Sequence, residues 1–71
     1  MSNNLVKVIE VLAESETSWE DAAAQAIEHA SHTLHGIKSI YIENFEAAVD
    51  SGKIVKYRIN AKISFVLDQT K

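Results

Sequence analysis

The stretch Lys53–Leu67 constrains the fold more than any other. Its odd positions read Val55, Tyr57, Ile59, Ala61, Ile63, Phe65, Leu67. Its even positions run Lys56, Arg58, Asn60, Lys62, Ser64 between Ile54 and Val66. Alternation with a period of two over so many residues is the mark of a strand with one apolar and one polar face. The polar face is long and turns apolar at both ends. It is therefore expected to meet something other than water.

The chain has 71 residues, enough for one domain, residues 1–71. A folded chain of this size buries only about 60% of the surface its unfolded form exposes, and such a core rarely supplies more than about 3–5 kcal/mol without a staple. Cysteine and proline are absent, and Gly36 and Gly52 are the two glycines. Disulfides and thiolate metal sites are thereby excluded, which leaves self-association as the route to extra burial. The net charge of −3, with no basic cluster, argues against nucleic acid. No apolar run approaches the roughly 18 residues of a membrane span, and the N-terminus lacks the pattern of a signal peptide. A soluble cytoplasmic protein is the expectation.

Leu5–Ala13 is rich in β-branched residues and short, and reads as a strand. It is apolar on both faces, with Leu5, Ile9 and Val11 on one and Val6, Val8 and Leu12 on the other. Both faces should be covered, one by a helix and one by another subunit. Thr17-Ser18-Trp19-Glu20 fits a capping box with Thr17 as N-cap, and Glu20 and Asp21 place negative charge in the first turn. An alanine-rich helix is expected over Asp21–His35, with Trp19, Ala23, Ala26, Ile27, Ala30 and Leu34 forming one stripe and Gly36 as its C-terminal cap. Ile37–Val49 reads as a second strand, and Asp50-Ser51-Gly52-Lys53 as the turn into the third. A two-residue loop at Ser51-Gly52 pairs Ile42 with Ala61 and Ile40 with Ile63. The same register sets Ser39, Tyr41, Glu43 and Phe45 beside Ser64, Lys62, Asn60 and Arg58. The fold expected is α+β: a β-α-β-β protomer whose three-stranded antiparallel sheet, in the order 1-3-2, wraps one helix.

Signatures of catalysis are missing. The sequence holds no phosphate-binding glycine loop, HExxH or GxSxG, and the expectation is a binding protein, not an enzyme. His29, His32 and His35 invite a metal reading. His29 and His32 share a helix face, but His35 lies about 120° from His29 on a helical wheel. Solvated histidines, favoured near a helix C-terminus by the dipole, are the preferred reading.

Three pieces in register carry a family resemblance: Val8-Ile9-Glu10-Val11, Ser18-Trp19-Glu20-Asp21-Ala22-Ala23, and the hairpin from Ile37 through Val49-Asp50-Ser51-Gly52 to Tyr57-Arg58-Ile59 and Ile63-Ser64-Phe65. Over nearly its whole length the chain resembles the dodecins. The resemblance implies a hollow homododecamer that stores or sequesters flavin (FMN, FAD or riboflavin), bound at subunit contacts on the sheet face away from the helix. The flavin-site equivalents are Ser39, Tyr41, Phe45 and Arg58. Two of them depart from the family pattern. Ser39 stands where flavin-binding dodecins carry a ring-stacking tryptophan, and Arg58 where they carry a glutamine. Arg58 has donors only, so an ion pair with Glu43 or Glu10 across a subunit contact is preferred to a ligand role. Tyr57-Arg58-Ile59 and Ala48-Val49-Asp50-Ser51 are similar to a branch that lacks the tryptophan and includes a calcium-binding dodecin. Calcium takes about six to eight oxygens, and Glu46, Asp50 and Ser51 near the turn are the metal-ligand candidates, with symmetry mates supplying the others. A small molecule held weakly, calcium, or no ligand at all in a structural shell are the alternatives this reading leaves open.

Overall fold

A computed structural model describes residues 5–67. In it three strands and one helix follow in the order β1 (Val6–Ser15), α1 (Trp19–Ala30), β2 (Ile37–Asp50) and β3 (Lys53–Val66). The sheet order is β1-β3-β2, and both neighbours of β3 run antiparallel to it, as the hydrophobic pattern predicts. The alternating stretch is the central strand.

The apolar side of β3 is where the core forms. Among the described residues the buried apolar side chains are Ala22, Ile59, Ala61, Ile63 and Phe65. Ala22 has no bulk to hold the helix away from Ile59 and Ala61. Val11, Ala13, Trp19, Ala23, Ile40 and Ile42 pack around this cluster.

The helix differs from expectation at both ends. Its N-cap is Ser18, not Thr17: the Ser18 hydroxyl accepts the Asp21 backbone N–H at 2.9 Å. The reason lies one turn upstream. The buried Ser15 Oγ accepts the N–H groups of Thr17 and Ser18 and donates to Asp21 Oδ2 at 2.6 Å. Thr17 is thus held in the preceding turn. The helix also ends at Ala30, not His35. Beyond Ser31, which caps it, His32 and Thr33 donate to carbonyls three residues back, the tightening usual at a last turn. Ser31-His32-Thr33 are all weaker helix formers than the alanines before them. Gly36 is not the helix cap. It takes φ +73° at the entry to β2, where its carbonyl accepts the Val66 N–H. A Cβ there would sit 3.1 Å from the Val66 carbonyl oxygen.

The hairpin closes through Ser51 (φ 54°) and Gly52 (φ 78°), the pair of positive φ values a type I′ turn needs. Ile42–Ala61, Ile40–Ile63, Tyr41–Lys62 and Ser39–Ser64 pair as the two-residue loop dictates. Between these pairs and the turn the register slips twice. Val55 is an extra residue on β3 and Glu43 an extra residue on β2, so that Asn44 to Ala48 pair one position away from expectation. Such one-residue bulges move a side chain to the other face. Phe45 is therefore opposite Ile59 rather than beside Arg58, and Glu46 takes the place facing Arg58.

The β2 and β3 strands, at 14 residues each, run about 46 Å. The 12-residue helix covers about 18 Å of that. The far part of the hairpin carries no helix.

Candidate functional site

The face of the sheet away from the helix is built in rows, one residue from each strand. Val8, Ser64 and Ser39 form one row, Glu10, Lys62 and Tyr41 the next, then Leu12, Asn60 and Asn44, then Glu14, Arg58 and Glu46. Central β3 supplies the polar middle of each row, because its even positions from Lys56 to Ser64 point this way.

The Arg58 row is the most strongly organised. Arg58 Nε donates to Glu14 Oε2 at 2.7 Å, and Nη1 lies 3.2 Å from Glu46 Oε2. Lys56 Nζ stands 3.5 Å from the other Glu14 oxygen. The hydrogen bond from Arg58, with the nearby Lys56 charge, holds the Glu14 carboxyl below the usual glutamate range. Reciprocally, the Glu14 hydrogen bond and the charges of Glu14 and Glu46 raise the Arg58 guanidinium above its ordinary value. Both partners lie within the protomer. Within the protomer, Glu43 pairs instead with Lys62 at 3.8 Å, and Glu10 lies opposite Lys62 on β1. The bulge at Glu43 explains the exchange, since it brings Glu46 level with Arg58.

The remaining expected site residues separate. Ser39 Oγ and Ser64 Oγ are hydrogen-bonded at 2.6 Å. Tyr41 is exposed on this face. Phe45 is on the other face, its ring edge-on to Trp19 at 5.7 Å. Trp19 also meets Tyr57 at 5.0 Å, and its indole N–H donates to the Glu46 backbone oxygen at 2.9 Å. One indole thus fixes Phe45 on the helix side and the Glu46 backbone from which the carboxylate reaches Arg58. Glu46 and Asp50 lie four residues apart on one strand, about 13 Å, while Asp50 and Ser51 adjoin at the hairpin tip. His29 and His32 stack at 6.2 Å between centroids. Among the described residues no group of three or more histidine, cysteine, aspartate or glutamate side chains is placed to hold a metal ion.

The sequence reading missed Glu14. Its signal was the charge itself: a glutamate near the end of the first strand, in a sheet whose central strand carries Lys56 and Arg58.

The dodecin family model matches residues 5–68. The chain belongs to the dodecin family. Among its relatives is the calcium dodecin of Mycobacterium tuberculosis, 37% identical over 62 residues and 87% of each chain. The solved structure of that protein, described as calcium-chelating and as having a novel calcium-binding site, is 38% identical and superposes with a TM-score of 0.78 over 94% of this chain and 96% of that one. The dodecin from Streptomyces davaonensis gives a TM-score of 0.89 at 25% identity, over 96% of this chain and 100% of that one. In this dodecin two of the expected flavin positions, Ser39 and Arg58, are engaged by neighbouring strands of the same protomer. Ser39 and Ser64 are hydrogen-bonded to each other, and two of the Arg58 donor groups are taken up by Glu14 and Glu46. No helix among the described residues is long and apolar enough to cross a membrane.

Proposed function

We propose that the protein assembles into a closed, hollow dodecin shell, a homododecamer, that binds or sequesters a small ligand without catalysing a reaction, and that its ligand is calcium and not flavin. The observation that carries the choice of ligand is the Glu14–Arg58–Glu46 row. A flavin edge needs an amide that both donates and accepts; a guanidinium has donors only, and here two carboxylates already engage it. An aromatic platform contributes about 0.5–1.5 kcal/mol of stacking beyond area burial, and Ser39 supplies none.

The same face favours a hard cation. It carries four carboxylates (Glu10, Glu14, Glu43, Glu46) against three cations (Lys56, Arg58, Lys62). Calcium takes about six to eight oxygens, more than Glu46, or Asp50 with Ser51, can give within one protomer. The site is therefore one completed between copies, to which each copy brings either Glu46 or the Asp50–Ser51 pair, about 13 Å apart along the strand. Assembly is supported by shape. The radius of gyration is 14.9 Å, against roughly 11 Å for a compact domain of this length. Val6, Val8 and Leu12, on the sheet face opposite the helix, are more than half exposed.

Three measurements on one preparation test this. Native mass gives the subunit number, and a monomer at micromolar concentration refutes the assembly. Riboflavin fluorescence should be unquenched; quenching with a Kd below about 1 μM, a binding free energy beyond about −8 kcal/mol, would restore flavin as the ligand. Calcium should raise the melting temperature, because a ligand that binds only the folded state stabilises it by about 2.7 kcal/mol at a hundred times its Kd. An unchanged melting temperature at millimolar calcium leaves the shell and removes the ion.

A further inference from the structure

The end of the helix brings together two histidines that the expected fold would set apart. An α-helix running on to His35 would leave His29 and His32 about 60° apart round its axis. The helix instead ends at Ala30, and the His32 N–H donates to the His29 carbonyl oxygen at 3.1 Å. That is a 3₁₀-type step, in which side chains at i and i+3 eclipse each other. The two imidazoles accordingly stand one above the other, their centroids 6.2 Å apart and their planes 27° from parallel. Both residues are exposed, so neither ring is packed into the core. Gln25, one turn before His29, lies with it along the groove between β1 and α1. Its side-chain NH2 donates to Asp21 Oδ2 at 2.5 Å, and its carbonyl oxygen is the end left for a neighbour.

We propose that His29 and His32 form a two-imidazole chelate for a transition-metal ion, copper(II) above all, separate from the calcium site. A metal bound at about 2.0–2.1 Å to each ring nitrogen holds two imidazole centroids roughly 4.5–5 Å apart. The pair therefore has to close by only about 1–2 Å, which rotation of two exposed side chains supplies without moving the backbone. The choice of ion follows from the donors. Imidazole suits copper, nickel and zinc, and copper(II) leads the order of affinities at a nitrogen site. Among the described residues no third histidine, cysteine, aspartate or glutamate joins the pair, so water fills the remaining positions. A tetragonal ion accepts such a mixture of nitrogen and oxygen ligands. Calcium, which takes about six to eight oxygens, gains nothing from imidazole. Two further features suit a cation here. The negative end of the helix dipole lies at this turn. A ligating histidine usually donates its second ring N–H to a carbonyl or carboxylate, which fixes the tautomer, and the Gln25 carbonyl is one turn away on the same helix face.

The test is titration of the chelator-treated protein, in its native oligomeric state, with copper(II), nickel(II) and zinc(II) in a non-coordinating buffer that contains millimolar calcium. Copper is expected to bind at one ion per chain and more tightly than nickel or zinc, and its electron paramagnetic resonance spectrum should show coupling to two imidazole nitrogens. Loss of an outer-shell partner alone typically costs about 10–100-fold in metal affinity, so His29→Ala and His32→Ala should each weaken copper binding by at least about tenfold. The double substitution should cost little more, because a chelate is lost with its first arm. His35→Ala should bind copper as the wild type does. Circular dichroism confirms that each variant is folded. Equal affinity for wild type, His29→Ala and His32→Ala, or a loss in His35→Ala as large as theirs, overturns the chelate. Recovery of wild-type affinity when His29→Ala and His32→Ala chains are co-refolded also overturns it, since the two nitrogens would then come from different copies. Calcium is present throughout, so none of these results bears on the calcium site.

Discussion

Removing the Trp19 indole N–H while keeping a ring is the sharpest test of how the site is positioned. Trp19→Phe deletes the hydrogen bond to the Glu46 carbonyl but retains an aromatic ring near Phe45 and Tyr57. A hydrogen bond of this kind contributes about 0.5–1.5 kcal/mol net. This one is exposed, so water can replace the lost donor and the cost should lie at the low end, about 0.5–1 kcal/mol. Trp19→Ala removes the hydrogen bond and both edge-to-face pairs, each about 0.5–1.5 kcal/mol beyond area. Its total should approach the lower end of the roughly 3–5 kcal/mol seen for large aromatic truncations, because the indole is only half-buried. One kcal/mol shifts the melting temperature of a domain this small by about 4–8 °C, so Trp19→Phe should melt about 2–8 °C lower. Trp19→Ala loses most of the roughly 3–5 kcal/mol such a core supplies, and should be folded only while assembled. The assay is thermal melting by far-ultraviolet circular dichroism at fixed protein concentration, since assembly makes the midpoint concentration-dependent. Equal melting temperatures for wild type and Trp19→Ala would refute the role given to this indole. A Trp19→Phe loss as large as that of Trp19→Ala would instead show that the hydrogen bond, not the ring stack, carries it.

Three further outcomes follow from local geometry. Gly36→Ala should cost at least about 1–2 kcal/mol, since φ +73° is a left-handed conformation that an L side chain resists and the new Cβ meets a backbone oxygen at 3.1 Å; a melting temperature within about 2 °C of wild type in differential scanning calorimetry would contradict this. Ser18→Ala should cost about 1 kcal/mol by urea titration while Thr17→Ala costs less, the reverse order being evidence that Thr17 caps the helix after all. The Glu14 carboxyl, held below its ordinary value by Arg58, contributes stability that is complete above the unfolded-state value of about 4.3 and is lost as pH falls through the lower folded-state value. Wild type should therefore weaken more steeply than Glu14→Gln below about pH 4.5, and parallel pH profiles would show that the pair contributes nothing to folding.

The architecture was readable because its determinants are local or periodic. The alternation of β3 named the central strand. The positive-φ pair Ser51-Gly52 pinned the β2–β3 register near the turn, and Ile40–Ile63 and Ile42–Ala61 followed from it. The partners of Arg58 were not readable in the same way. The register of β1 against β3 is set by a connection through a helix, which imposes no fixed count, so nothing in the chain order placed Glu14 opposite Arg58. The helix ends were misjudged for a related reason. Thr17 and Ser18 are both good caps, and only the Ser15–Asp21 contact decides between them.

Phe45 shows how far a one-residue irregularity can carry. An unbroken ladder places it on the polar face beside Arg58, where it would add an aromatic surface to a ligand site. The bulges at Glu43 and Val55 compensate each other, so Ser39–Ile42 and the residues beside the turn pair as the loop dictates while Asn44–Ala48 are displaced. Neither bulge has a glycine to announce it. Their effect is to exchange two side chains: Phe45 leaves the polar face for Trp19, and Glu46 arrives there to complete the clasp on Arg58. The exchange converts what would be an aromatic, flavin-like surface into a carboxylate-rich one. In this chain the chemistry of the face is thus set by backbone register as much as by which residues occupy β2, and the tryptophan at the start of the helix, on the opposite side of the sheet, touches both Phe45 and the Glu46 backbone.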